Sequence, residues 1–238
     1  MLSSLPLNKP MRIGPISAAL ILVLAALGTA RGETKACPEL KQPSTAPWQG
    51  TKLISAIFES NARSAAALME KGVDLNQSDS LGNTPLVLAL TPRESLEPVG
   101  VVSKMNRQTS IKREDDARKK IVPLLLAKGA NPNSSGTLGR TALMQVAALG
   151  RDKVWNLQIA SKLIDKGARI NAQDDYGNTP LILASDIGAV GLIDLFLKHG
   201  ADPNIRNCRN ESALSLASSK HLSVAQKHLE AAMQSSRP

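Results

Sequence analysis

The sequence is poor in aromatics: two Phe, two Trp and one Tyr, about 2% of 238 residues. Strands favour β-branched and aromatic residues. Beside abundant Leu and Ala, this scarcity argues against a β-sandwich and for helices packed through small and aliphatic side chains. It also removes the stacking platforms on which single-stranded nucleic acids lie. Charge offers no substitute. The formal net charge is +9, but Lys9, Arg12 and Arg31 fall in an N-terminal segment expected to be removed, and taking these three from 29 leaves 26 basic against 20 acidic residues. The remaining charges of both signs are interspersed rather than gathered in one stripe, so no nucleic-acid partner is expected.

Histidine is equally scarce. His199, His221 and His228 include no pair four residues apart, the spacing that places two imidazoles on one helix face around a metal. There is no Gly-x-Ser-x-Gly elbow, no phosphate-binding Gly-x-x-x-x-Gly-Lys-Ser/Thr loop and no dinucleotide fingerprint. Acidic pairs occur at Asp115-Asp116 and Asp174-Asp175. They lie in a charged insertion and at the tip of a repeat, where nothing supplies the desolvated cleft that general acid/base work requires. No catalytic residue, cofactor or metal is expected, and the chain is not read as an enzyme.

Long hydrophobic runs are also missing, with one short exception. Ile16–Leu27 is apolar, follows Arg12 and precedes the small residues Gly28, Thr29 and Ala30. This is the pattern of a cleavable signal peptide. About twelve residues fall short of the ~20 that cross a bilayer, so residues 1–32 are expected to be removed near Ala30 or Gly32, with no stable membrane insertion afterwards. Met11 opens a tighter version of the same signal than Met1. Thr34-Lys35-Ala36 before Cys37 does not make the Leu-x-small-Cys pattern of lipid attachment. The expected destination is secreted or, in a Gram-negative bacterium, periplasmic.

What the chain does have is repetition. Gly-x-Thr-Pro-Leu occurs at Gly82–Leu86 and Gly177–Leu181, varies at Gly139–Leu143, and is fainter at Thr51-Lys52-Leu53 and Ser212-Ala213-Leu214. A second pattern, Gly-Ala-Asn-x-Asn in its fullest form, begins at Gly72, Gly129, Gly167 and Gly200. Thr51 to Gly72 and Thr179 to Gly200 are both 21 residues, and Thr179 to Ser212 is 33. Thr or Ser can cap a helix by accepting a backbone N–H, and Pro at the next position needs no N–H of its own. Leu86 and Ala89, Leu181 and Ala184, and Leu214 and Ala217 then line one helical face, Ala letting neighbours approach closely. Gly suits the left-handed position after a helix, and Lys71, Lys128, Lys166 and Lys198 sit near the helix's negative end.

With five units in phase, residues 50–234 resemble the ankyrin-repeat family, whose period is about 33 residues. The resemblance implies an all-α solenoid of about five helix pairs. The His that commonly follows Thr-Pro-Leu in that family is Val87, Met144, Ile182 and Ser215 here, so its inter-repeat hydrogen bonds are not expected. Residues 33–49, with Pro38, Pro43 and Pro47, read as an exposed leader, and 235–238 as a tail. The second unit carries about 24 extra residues and the third five, both between paired helices. The larger insertion, 92–120, has eight Lys or Arg and five Asp or Glu; it is expected to form a solvated loop or a helix extension. Cys37 and Cys208 leave three states open: a bond with each other, unpaired thiols, or an intermolecular bond.

The family binds proteins on a concave face built of repeat tips and first helices. Carried over by register, the resemblance places Leu81, Asn83, Leu138, Arg140, Asp175, Tyr176, Asn178, Arg209 and Glu211 at the tips, and Leu149, Asp186, Ile187 and Lys220 at the far ends of the first helices. A protein partner bound by a chain that is monomeric when free is implied. Exported members of the family include toxin inhibitors or immunity proteins; an envelope scaffold or a stress-protective periplasmic protein is the alternative.

Overall fold

The computed structural model describes residues 51–91, 107–150 and 154–235, all within the compact unit Lys35–Pro238. The expected signal peptide, the leader, the first part of the insertion (92–106) and residues 236–238 of the expected tail lie outside the described residues, while Ser235 ends the last helix.

Ten α-helices form five consecutive pairs among the described residues: α1 Lys52–Phe58 with α2 Ala62–Glu70, α3 Pro85–Leu90 with α4 Arg107–Ala127, α5 Ala142–Ala148 with α6 Val154–Asp165, α7 Pro180–Asp186 with α8 Val190–Lys198, and α9 Ala213–Ser219 with α10 Ser223–Ser235. Each first helix packs on its own partner and on the first helix of the next pair, while the second helices form a parallel row behind them. This is the all-α repeat row read from the sequence. No strand forms among the described residues; one isolated bridge joins Ser135 and Thr141.

The helix boundaries sit where the sequence put them. Thr51, Thr141, Thr179 and Ser212 each accept a hydrogen bond from the backbone N–H three residues on, which satisfies one of the N–H groups a helix start leaves open. Thr84 departs from the expectation. It occupies the same N-cap position but makes no side-chain cap bond, and its Oγ1 is buried without a partner. At the other end, Gly72, Gly129, Gly167 and Gly200 all adopt φ between 74° and 88°, the left-handed region that a Cβ disfavours.

Packing follows the small-residue pattern. In the first helices, the fifth position after each cap is Ala56, Ala89, Val146, Ala184 or Ala217, and every one is buried. The large aliphatics two residues after the caps of the first four units, Leu53, Leu86, Leu143 and Leu181, are 1% exposed or less. They join α-helical neighbours such as Leu125, Leu163 and Phe196 in one continuous core. The basic insertion resolves into a helix extension from Arg107 onward: α4 runs 21 residues against 9 for α2 and α8, with Pro123 inside it.

Candidate functional site

Between the end of each second helix and the start of the next first helix, the chain makes two turns that also join neighbouring repeats. The first is built on asparagine. Asn76, Asn133 and Asn171 each accept through Oδ1 from a backbone N–H of the following repeat: Asn131 at 2.8 Å, Arg169 at 2.8 Å and Asp202 at 2.9 Å. Asn133 and Asn171 also donate through Nδ2 to the carbonyls of Gly167 and Gly200, at 2.9 and 3.2 Å. In the fifth repeat Asn204 Nδ2 donates instead to Asp202 Oδ1 of its own turn.

The second turn forms the projecting tip. In the second repeat Asp79 Oδ1 accepts from the N–H groups of Leu81 and Asn83, and Oδ2 from the Asn83 amide. The fourth repeat repeats this with Asp174, Tyr176 and Asn178. In the fifth, Asn207 takes the acid's place and accepts from Arg209 and Glu211. A carboxylate or amide that satisfies two turn N–H groups holds the tip in one shape. The third repeat breaks the pattern, with Gly136 where the acid would be. A Cβ there would overlap Asn83 Oδ1, the oxygen that accepts from both the N–H and the hydroxyl of Thr137. Glycine is therefore required by the close approach of neighbouring tips.

Tips are further linked through backbone: Asp175 donates to Leu138 O at 3.0 Å and Cys208 to Tyr176 O at 2.8 Å. Arg140, standing where the second and fourth repeats have Asn and the fifth Glu211, reaches the next tip, its Nε 3.6 Å from Asp174 Oδ2. The Asp174 side chain is fully buried.

The structure divides the thirteen candidate residues into two groups. Leu81, Leu138, Arg140, Asp175, Tyr176, Arg209 and Glu211 lie along the tip row with surface to offer: Leu81 and the Arg209 and Asp175 positions are exposed, the others half-buried. Asn83 and Asn178 belong to the same tips, but their side chains are spent on holding them. Asn83 is only 3% exposed, which corrects its reading as a contact residue, and Asn178 Oδ1 accepts from Asn207 Nδ2. The second group sits at the C-terminal ends of the first helices, where Asp186 bridges to Lys220 of the next repeat at 2.6 Å and half-buried Leu149 and Ile187 are helix C-caps. Arg209 and Glu211 pair with each other at 3.1 Å.

Sequence reasoning missed the residues that organise the tips, Asp79, Asp174 and Asn207, and the Asn76, Asn133 and Asn171 series. The signal was present: Asp-x-x-Gly-Asn occurs at both 79–83 and 174–178, and Asn207 follows Asp174 by one 33-residue period. Among the described residues no group of three His, Cys, Asp or Glu could hold a metal, and no helix is long and apolar enough to cross a membrane. Cys208 is disulfide-bonded, which sets aside the free-thiol state for this residue; Cys37 lies outside the described residues.

A family model for ankyrin repeats matches residues 114–207 and 155–232. The chain is 29% identical over 160 residues to an ankyrin repeat protein of Acanthamoeba polyphaga mimivirus, covering 63% of this chain and 22% of that one. It is 31% identical over 121 residues to the E3 ubiquitin-protein ligase KEG of Arabidopsis thaliana, covering 50% and 7%. Against neurogenic locus notch homolog protein 1 of Homo sapiens the figures are 28% over 167 residues, 70% and 5%. The chain thus spans less than a quarter of the length of these relatives.

Proposed function

Because the chain belongs to the ankyrin-repeat family, whose repeats generally mediate protein–protein interaction, we propose that it is a non-enzymatic module that binds one protein partner along the tip row and the adjoining first helices. The observation that carries this reading is the rigidity of the row. Each tip is closed on its own Asp or Asn, or on Gly136, and hydrogen-bonded to the next. A surface already ordered before contact loses little further freedom on binding. Along it stand Leu81, Leu138, Tyr176 and Arg209, the last two of the types that dominate interface energetics.

The partner reading extends to biology as follows. An exported chain, freed of residues 1–32, acts in the periplasm or outside the cell as the inhibitor or immunity partner of a toxin. It is monomeric when free and takes neither cofactor nor nucleic acid.

Affinity capture with the mature chain from periplasmic extract, followed by titration of the captured protein, tests this. Tyr176→Ala with Arg209→Ala should weaken that partner by about 2 kcal/mol or more, roughly thirtyfold. Unchanged affinity, with the repeats still folded, refutes the tip assignment. Mass spectrometry of the processed N-terminus checks the export reading separately.

A further inference from the structure

Departures from the repeat pattern gather on one tip, the third. Gly136 stands where the second and fourth repeats have the closing Asp. Leu138 takes φ 63° and ψ 25°, a left-handed conformation that its Cβ disfavours, whereas none of Leu81, Tyr176 and Arg209 at the same position has a positive φ. Backbone outliers of this kind concentrate at functional sites.

The third departure is Arg140. Where it stands, Asn83 and Asn178 complete the link to the next tip with hydrogen bonds of 2.9 to 3.0 Å. Arg140 is the poorer linker: its Nε is buried, makes no hydrogen bond and stops 3.6 Å from Asp174 Oδ2, a carboxylate already served by two turn N–H groups and an amide. The outer guanidinium nitrogens have no acceptor among the described residues either, but unlike Nε they are open to solvent. The residue is held at both ends. Arg140 O accepts from Gly136 N–H at 2.8 Å, and the ion pair with Asp174, whose side chain is fully buried, anchors the head.

We infer that Arg140 is the receptor for a carboxylate of the protein partner, an Asp or Glu side chain beside apolar groups that meet Leu138 and Tyr176. The inference rests on the binding role proposed above and adds to it the chemistry of the partner.

A guanidinium is a planar fork of donors that a carboxylate matches with two parallel hydrogen bonds. Here the fork is positioned in advance, so little freedom is lost when it is used. Half-buried Leu138 and Tyr176 stand on the same tip and the next, and partner groups covering them would keep water from the charged pair and strengthen it. A carboxylate is preferred to a phosphate dianion because Asp174 already places one negative charge beside the guanidinium, and a second charge on the ligand doubles the repulsion.

The test needs no captured partner. The full chain, isotope-labelled at arginine, is titrated with the probe peptide acetyl-Leu-Glu-Leu-amide while the Nε–Hε signals are followed by NMR. The Arg140 signal, identified by its absence from Arg140→Lys, should move saturably, and acetyl-Leu-Gln-Leu-amide should bind about tenfold more weakly or less tightly still. Arg140→Lys keeps a cation beside Asp174 but lacks the fork. It should stay folded and bind the Glu peptide about tenfold more weakly, read on the backbone amide signals of Leu138 and Tyr176. A still Arg140 signal, equal affinity for the two peptides, or undiminished affinity in Arg140→Lys overturns the inference and leaves Arg140 as a charge partner of Asp174 alone. Tighter binding of inorganic phosphate than of the Glu peptide overturns it as well. None of these outcomes decides the tip-row reading, which is judged by the affinity of the captured partner for Tyr176→Ala with Arg209→Ala.

Discussion

Asp174 gathers more of the tip's hydrogen bonds than any candidate contact residue: two turn N–H groups and the Asn178 amide donate to one buried carboxylate, and Arg140 Nε stands 3.6 Å away as a charge partner without a hydrogen bond. Removing it strands those donors away from water, and an unsatisfied buried group costs about 1–3 kcal/mol. Asp174→Ala should therefore destabilise the protein by about 3 kcal/mol in urea titration. Asp174→Asn should cost about 1 kcal/mol, because Asn207 performs the same turn closure with an amide. Equal losses for the two variants would place the stabilisation in volume rather than hydrogen bonding. Gly136→Ala belongs to the same scale. The added Cβ meets Asn83 Oδ1 and Val87, so a loss of about 1–3 kcal/mol is expected as the second and third tips are pushed apart, measured in the same titration.

At the scale of the element, five similar helix starts allow a controlled comparison. Thr179 is 1% exposed and its hydroxyl caps α7 by accepting from Ile182 N–H. Thr84 is also buried, at 5% exposed, yet its hydroxyl meets no partner. Thr179→Val should cost about 1 kcal/mol as the cap is lost, whereas Thr84→Val should be neutral or raise the melting temperature, since it removes a desolvated polar group that contributes nothing. Circular dichroism melts of the two single variants check the contrast. The starts of the first helices and the stops of four second helices were legible in the sequence, because caps and left-handed glycines act within one turn of chain. The failed cap at Thr84 was not, since it depends on backbone geometry that the residue type does not reveal. The extension of α4 was legible only as one of two outcomes: a charged segment can form either a helix or a loop until its far end, Ile121, Val122 and Leu125 here, is packed into a core.

For the whole molecule, a row whose described helix pairs pack mainly on their neighbours should lose stability locally rather than all at once. Leu229→Ala removes a fully buried side chain from α10, which among the described residues packs on α8 and α9 only. Amide exchange should accelerate over residues 213–235 while 142–198 keep their protection. Uniform acceleration along the chain would show that the five pairs unfold as one unit. The partner face belongs to this scale as well. Tyr176, Arg209 and Leu138 come from different repeats and form a surface only because the tips are bonded in series.

The period, the helix limits and the buried aliphatic stripe were all determined by the sequence alone, since each rests on interactions within a few residues or on a spacing that repeats. Only the tertiary structure decided which polar residues leave solvent. Asn83 and Asp174 look like surface residues of a loop, yet they are buried because a neighbouring repeat, the next one for Asn83 and the preceding one for Asp174, brings Thr137 and Arg140 against them. Burial of a turn is a property of the neighbour it meets, and that neighbour lies up to 54 residues away along the chain.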